Sequence, residues 1–158
     1  EVGARAAEAL DYVWSKFMII HRDVKPQNIM LNSHGVVKVC DFGMVTAHES
    51  GEVDVSAVEG TPYYLSPEVA QRRPYNAKSD VWALGCILYE CCTRRHPFTG
   101  NTQAQLFQQI IRATYRPIPT QYSNDVHACV KACLTRSVRA LCFPACCPFH
   151  RWSCRSPY

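Results

Sequence analysis

The stretch from Asp80 to Glu90 most narrows what this chain can fold into. Val81, Trp82, Ala83, Leu84, Cys86, Ile87 and Leu88 leave it apolar on nearly every face. A helix without a polar face belongs inside a domain, with other elements packed around it. The flanking sequence supplies such elements. Val2 to Ser15 carries Ala6, Ala9, Leu10, Val13 and Trp14 at helical spacing, which predicts an amphipathic helix. Asn101 or Thr102 can cap a helix with Leu106, Phe107, Ile110 and Ile111 on one stripe. Ser123 or Asn124 can start another, carrying Val126, Cys129, Val130, Cys133 and Leu134 at spacings of three and four. The chain therefore reads as mainly α, and 158 residues at 47% apolar content suffice for one domain with a substantial core.

A short β-hairpin interrupts the helical pattern. Met18-Ile19-Ile20 reads as a buried strand leading into His21. Ile29-Met30-Leu31 and Val36 to Cys40 are apolar and partly β-branched, and Asn32-Ser33-His34-Gly35 between them has turn chemistry. Folding that hairpin makes neighbours of Asn28, just before its first strand, and Asp41, just after its second. Asp23 and Lys25 stand a few residues away on the incoming loop. One amide and one carboxylate suit Mg²⁺, which is held by one or two protein oxygens and by substrate phosphates rather than by a full protein cage. Asp23 is then left to act as a base.

His21-Arg22-Asp23-Val24-Lys25-Pro26-Gln27-Asn28 followed by Asp41-Phe42-Gly43 resembles the catalytic and metal-binding loops of protein kinases in order and spacing. Gly60 to Glu68 and Lys78 to Glu90 fall where that family has its substrate-binding loop and central buried helix, and their wording is most similar to the NIMA-related serine/threonine kinases. The resemblance implies a kinase-like C-terminal lobe over residues 1–136, helical apart from the hairpin, with the N-terminal lobe absent. The implied reaction moves the γ-phosphate of ATP, with Mg²⁺, to a protein Ser or Thr hydroxyl. Asp23 would orient that hydroxyl and accept its proton, Lys25 would steady the γ-phosphate, and Asn28 and Asp41 would hold the metal. Met30 would lie beneath the adenine, and Thr61 would bridge Asp23 and Lys25. His21 is expected to pack as a core residue near Phe42, and Asp80 to cap its helix and take backbone N–H bonds from the catalytic loop.

The resemblance further implies that Arg22 pairs with a phosphate on the segment after Asp41, because arginine suits bidentate recognition of phosphate. No Lys or Arg stands between Asp41 and Glu68, and Ser50, Ser56 and Thr46 are the phosphorylation candidates there. Ser56 comes nearest the family's position, which itself falls on Ala57. Tyr63 and Tyr64 would shape the pocket beside the phosphorylated residue. Glu68 would be buried and paired with an arginine, but the expected partner position is Leu141, with Arg139 nearby as a substitute.

Residues 137–158 depart from the family pattern of an Asp/Asn-Pro turn and an Arg-Pro pair. They form a basic tail without acids that carries Cys142, Cys146, Cys147, His150 and Cys154. Zinc binding, palmitoylation, and an irregular or out-of-frame end are the readings open for it. Four of the ten cysteines, Cys40, Cys86, Cys91 and Cys92, lie among apolar kinase-like residues and read as buried thiols in a reducing compartment. The net charge of +4 is scattered, which leaves no nucleic-acid footprint. No apolar run approaches the roughly 18 residues of a membrane helix, and the N-terminal residues lack a signal peptide's pattern. An intracellular place, in the cytoplasm or at the cytoskeleton, is expected. The Gly-rich loop, strand lysine and helix glutamate of a complete kinase site are missing from the 158 residues, so the chain alone is expected to be inactive. The alternative is a non-catalytic lobe that docks a substrate or a partner kinase through Tyr63 and the helix near Phe107.

Overall fold

A computed structural model describes residues 2–44 and 62–136, and the backbone of 46–47. The first helix, α1 (Val2–Phe17), runs two residues past its expected end and buries Ala6, Ala7 and Leu10. Met18 then adopts a left-handed conformation, φ 53°, and ends it. Strand β1 (Ile19–Ile20) follows and pairs antiparallel with β4 (Thr46–Ala47). Met18 is exposed and does not belong to the buried strand expected there.

The expected hairpin forms from β2 (Ile29–Leu31) and β3 (Val37–Val39), with Ile29 opposite Val39 and Leu31 opposite Val37. Asn32 closes its turn. Its Oδ1 accepts the backbone N–H groups of His34 at 3.0 Å and Val36 at 2.8 Å, an Asx arrangement that frees the chain to reverse. Gly35 takes φ 77° in that turn, a region where a side chain is strained. Ile29, Val37 and Val39 face the core, whereas Met30 and Leu31 are more than half exposed.

Helix α2 (Pro67–Ala70) is a single turn started by Pro67, whose ring fits the first helical position. The long helix α3 (Lys78–Thr93) extends beyond the apolar stretch at both ends. Val81, Trp82, Ala83, Leu84 and Cys86 on it are all buried, as the absence of a polar face requires. Trp82 stacks on Phe98 with ring centroids 5.4 Å apart, and Phe98 meets the Tyr115 ring edge-on. Helix α4 (Gln103–Arg112) is capped by Thr102, whose side chain accepts Gln105 N–H. It buries Leu106 and Ile110 and packs on α2.

Helix α5 (Asn124–Cys133) lies against α3 so closely that a Cβ on Gly85 would come within 2.5 Å of Cys133 Cβ. Only glycine permits that approach. Ala6, Leu10, Val24, Tyr64 and Ile118 complete the core around α3, and Ile20, Leu65, Val69, Tyr75 and Ala77 form a second cluster.

The cysteines differ from expectation. Cys86 is buried, but Cys40 and Cys92 are partly exposed and Cys91 faces solvent, because the last turns of α3 rotate that position out of the core. No disulfide joins any of the cysteines among the described residues. No helix among them is long and apolar enough to cross a membrane. The Cys/His set of the tail lies outside the described residues.

Candidate active site around Asp23, Asn28 and Asp41

The loop entering the hairpin is fixed from beneath by Asp80. Its carboxylate accepts the N–H of His21 at 2.9 Å and of Arg22 at 3.0 Å. Burial pushes the Asp80 carboxyl above the usual carboxylate range, and the two N–H donors pull it part of the way back. The expected bonds to the loop are therefore present, but the expected cap is not. Asp80 is the third residue of α3, and Ala77 occupies the cap position. Arg22 is held at φ 71°, a region that disfavours any L side chain. That conformation turns the chain toward Asp23.

His21 is fully buried, and its ring centroid lies 4.7 Å from that of Phe42. Its Nε2 donates to the Cys40 carbonyl at 3.0 Å, and its Nδ1 accepts Asp23 N–H at 3.4 Å. This core histidine thus ties the loop to the end of β3, in keeping with the structural role expected for it.

Lys25 is extended and precedes a 3₁₀ turn, Pro26–Asn28, begun by the proline. The turn brings Asn28 back onto Asp23. Asn28 Nδ2 donates to the Asp23 carbonyl at 2.8 Å and to Asp23 Oδ2 at 3.3 Å, and Lys25 Nζ reaches the same Oδ2 at 2.5 Å. Asp23 and Asn28 are both buried, so their polar groups need these partners. Cys40 N–H donates to the Asn28 carbonyl at 2.9 Å, which brings Asp41, the next residue, to the Asn28 end of the hairpin.

Asp41 is exposed and takes φ 63°. Its Oδ1 lies only 3.2 Å from where a Cβ on Gly43 would stand, so the missing side chain leaves the carboxylate its room. The Asn28 amide nitrogen is committed to Asp23, which leaves its oxygen as the atom that could ligate a cation, and the Asp41 carboxylate stands at the same end of the hairpin. That donor set fits Mg²⁺. No group of three His, Cys, Asp or Glu residues converges as a metal cage among the described residues.

Asp23, Lys25 and Asn28 are thus brought together, and Asp41 follows the residue whose N–H bonds the Asn28 carbonyl. Met30 lies on the exposed face of the hairpin, 55% accessible. The Arg22 guanidinium lies 5.5 Å from the centre of the Tyr75 ring. Thr61 and Ser56 lie outside the described residues, as do Arg139 and Leu141. Glu68 is half-buried rather than buried. Among the described residues its Oε1 accepts the Ser79 hydroxyl at 2.8 Å, and Ser79 in turn accepts the Ser66 hydroxyl at 2.9 Å. Neither serine belonged to the sequence-derived site. A helix-start serine carries no signal that separates a relay from a solvated hydroxyl.

Residues 2–147 match the protein kinase domain family. The chain is 46% identical over 113 residues to the serine/threonine-protein kinase Nek5 of Homo sapiens, covering 71% of this chain and 16% of that protein. It is 43% identical over 116 residues to the G2-specific protein kinase nim-1 of Neurospora crassa, covering 73% of this chain and 13% of that protein. With the G2-specific protein kinase fin1 of Schizosaccharomyces pombe the identity is 40% over 134 residues, covering 81% of this chain and 19% of that protein. The chain thus spans less than a fifth of the length of each of these relatives.

Proposed function

Because the chain belongs to the protein kinase domain family and by that family is a serine/threonine kinase similar to the NIMA-related kinases, we propose that residues 1–136 form the lobe that carries its catalytic loop, metal residues and protein-acceptor surface. The observation that carries this reading is the knot of Lys25 and Asn28 on Asp23, with Asp41 at the other side of the hairpin. Asp23 receives the acceptor Ser or Thr hydroxyl and takes its proton as the oxygen bonds to the γ-phosphorus of ATP and the bond to ADP breaks. Lys25, which pairs with Asp23, turns its ammonium toward the γ-phosphate. Asn28 and Asp41 would hold Mg²⁺, and the metal would supply positive charge to the phosphate oxygens. Met30 supports the adenine from below, and Thr61 links Asp23 to Lys25.

Arg22 and a phosphate at Ser56 are the proposed ordering pair of the intervening segment. The boundary at Arg136, with 137–158 as a separate Cys-rich tail, rests on the loss of the family's proline turn, although the family match itself runs to residue 147. The exposed Met30, Leu31, Val36 and Phe42 support a second lobe as the natural cover of the nucleotide. ATP as donor fits an intracellular setting, in the cytoplasm or at the cytoskeleton.

No two of the seven glycines stand two residues apart, so the 158 residues contain no Gly-x-Gly loop to close over the phosphates. We therefore expect the isolated 158 residues to incorporate labelled phosphate from ATP into a Ser/Thr peptide no faster than their Asp23→Ala variant. Wild-type incorporation clearly above that variant would overturn the half-site account. A second reading is a docking module for a substrate or partner kinase. It is supported by Tyr63, 37% accessible on a turn that packs against α4.

A further inference from the structure

The turn Pro62–Tyr64 is gripped by groups that take no part in the chemistry above. The ring of His96, from the loop after α3, lies parallel to that of Tyr63, with centroids 4.3 Å apart and planes 6° apart. The same ring meets Tyr64 edge-on at 5.7 Å. Tyr64 donates its hydroxyl to Glu90 Oε2 at 2.8 Å, and His96 Nδ1 faces that same oxygen from 3.6 Å. This is beyond hydrogen-bond range. His96 Nδ1 is nevertheless buried, and has no hydrogen-bond partner among the described residues.

A buried ring nitrogen without a partner, aimed at a carboxylate, is an arrangement that a proton would complete. We propose that His96 is a positioning residue for the Tyr63–Tyr64 wall, and that its protonation draws the wall onto Glu90. The functional consequence rests on the reading above, in which these tyrosines flank the acceptor residue. A neutral imidazole with its hydrogen on Nε2 turns a lone pair toward Glu90. The imidazolium instead presents an N–H there, and a charge-assisted bond closes to about 2.7–2.9 Å. Tyr63, stacked on the ring, moves with it and gains a cation against its face.

Among the described residues, Glu90, Cys86 and Cys91 on α3 face the Tyr64 phenol, and Tyr63 stacks on the His96 ring. Burial and the bond to Glu90 push the Tyr64 phenol up, and burial does the same to the Cys86 and Cys91 thiols. Tyr64 therefore remains a donor at neutral and acid pH. Imidazole is the side chain that ordinarily changes charge between pH 5 and 8.

The test is an NMR titration of the whole chain, labelled at histidine and tyrosine rings, from pH 8 to pH 5. Tyr63 ring signals are expected to move with the same midpoint as the His96 ring proton. They should stay flat in His96→Gln and move normally in His127→Gln. Flat Tyr63 signals in the wild type, or unchanged movement in His96→Gln, would overturn the proposal. Should His96→Gln fail to fold, Tyr63→Leu at the exposed face of the stack serves in its place. It is expected to shift the His96 ring proton by removing the ring current, and an unchanged His96 signal would count against the stack. No step of this titration uses nucleotide or phosphate transfer, so failure of the kinase chemistry and failure of the clamp give separate results.

Discussion

Asp80→Ala is expected to remove about 3–5 kcal/mol of folding stability, since each hydrogen bond to a charged group contributes about 1.5–3 kcal/mol and both lost bonds leave buried N–H groups behind. The donors are the N–H groups of His21 and Arg22, at 2.9 and 3.0 Å from a side chain only 4% accessible. Arg22 sits at φ 71° and is kept there partly by its bond to Asp80, so the loop should relax as well as weaken. Asp80→Asn tests the distinction between charge and shape. Its single amide oxygen can serve one N–H, but its NH₂ must then face the other, so it should recover less than half of the loss. Urea unfolding followed by circular dichroism measures both variants, and a midpoint lowered by about 2 M is expected for alanine at a slope near 2 kcal/mol/M. A midpoint within error of wild type would show that Asp80 does not hold the loop.

Trp82→Ala should be comparably severe, at about 3–5 kcal/mol, because truncating a large buried aromatic loses both its transfer energy and the packing around the space it leaves. Trp82 is fully buried and stacks on Phe98, which in turn meets Tyr115 edge-on. Trp82→Phe makes the sharper test. The indole Nε1–H is buried without a hydrogen-bond partner among the described residues. Phenylalanine deletes that donor while keeping a ring to stack on Phe98, so the loss should be less than half that of alanine. Equal losses in the two variants would mean that the indole N–H is satisfied in solution and contributes to stability. Thermal and urea denaturation of both variants provide the comparison.

How much of this was legible in the sequence depends on the range of each interaction. The hairpin could be read because β-branched runs and an Asn-to-Gly turn are local signals, and its closure brings Asn28 and Asp41 to one end without any knowledge of the rest. The burial of α3 was legible for a related reason, since a helix with no polar face has one place to go. The start of α3 is hidden because Asn76 and Ala77 carry the chain into helix before Asp80, and an aspartate three residues inside looks in sequence like a cap. The partners of Glu68 and Glu90 could not be read. Ser79 and His96 meet those acids through tertiary packing, and neither has a spacing or composition that marks it. The intimacy of α3 and α5 at Gly85 was hidden likewise, since glycine inside a helix pattern signals only a weaker helix until the neighbouring Cys133 is seen.

As proposed above, Asn28 and Asp41 together form the metal side of a nucleotide site at the foot of the hairpin. Manganese with ADP, titrated into the ¹⁵N-labelled 158-residue chain, tests it without requiring turnover. Paramagnetic broadening is expected to be strongest at the Asn28 side-chain amide, Ile29 and Asp41, and to disappear from them in Asp41→Asn. Broadening centred elsewhere, or equally strong at Asn28 in the Asp41→Asn variant, would contradict the account.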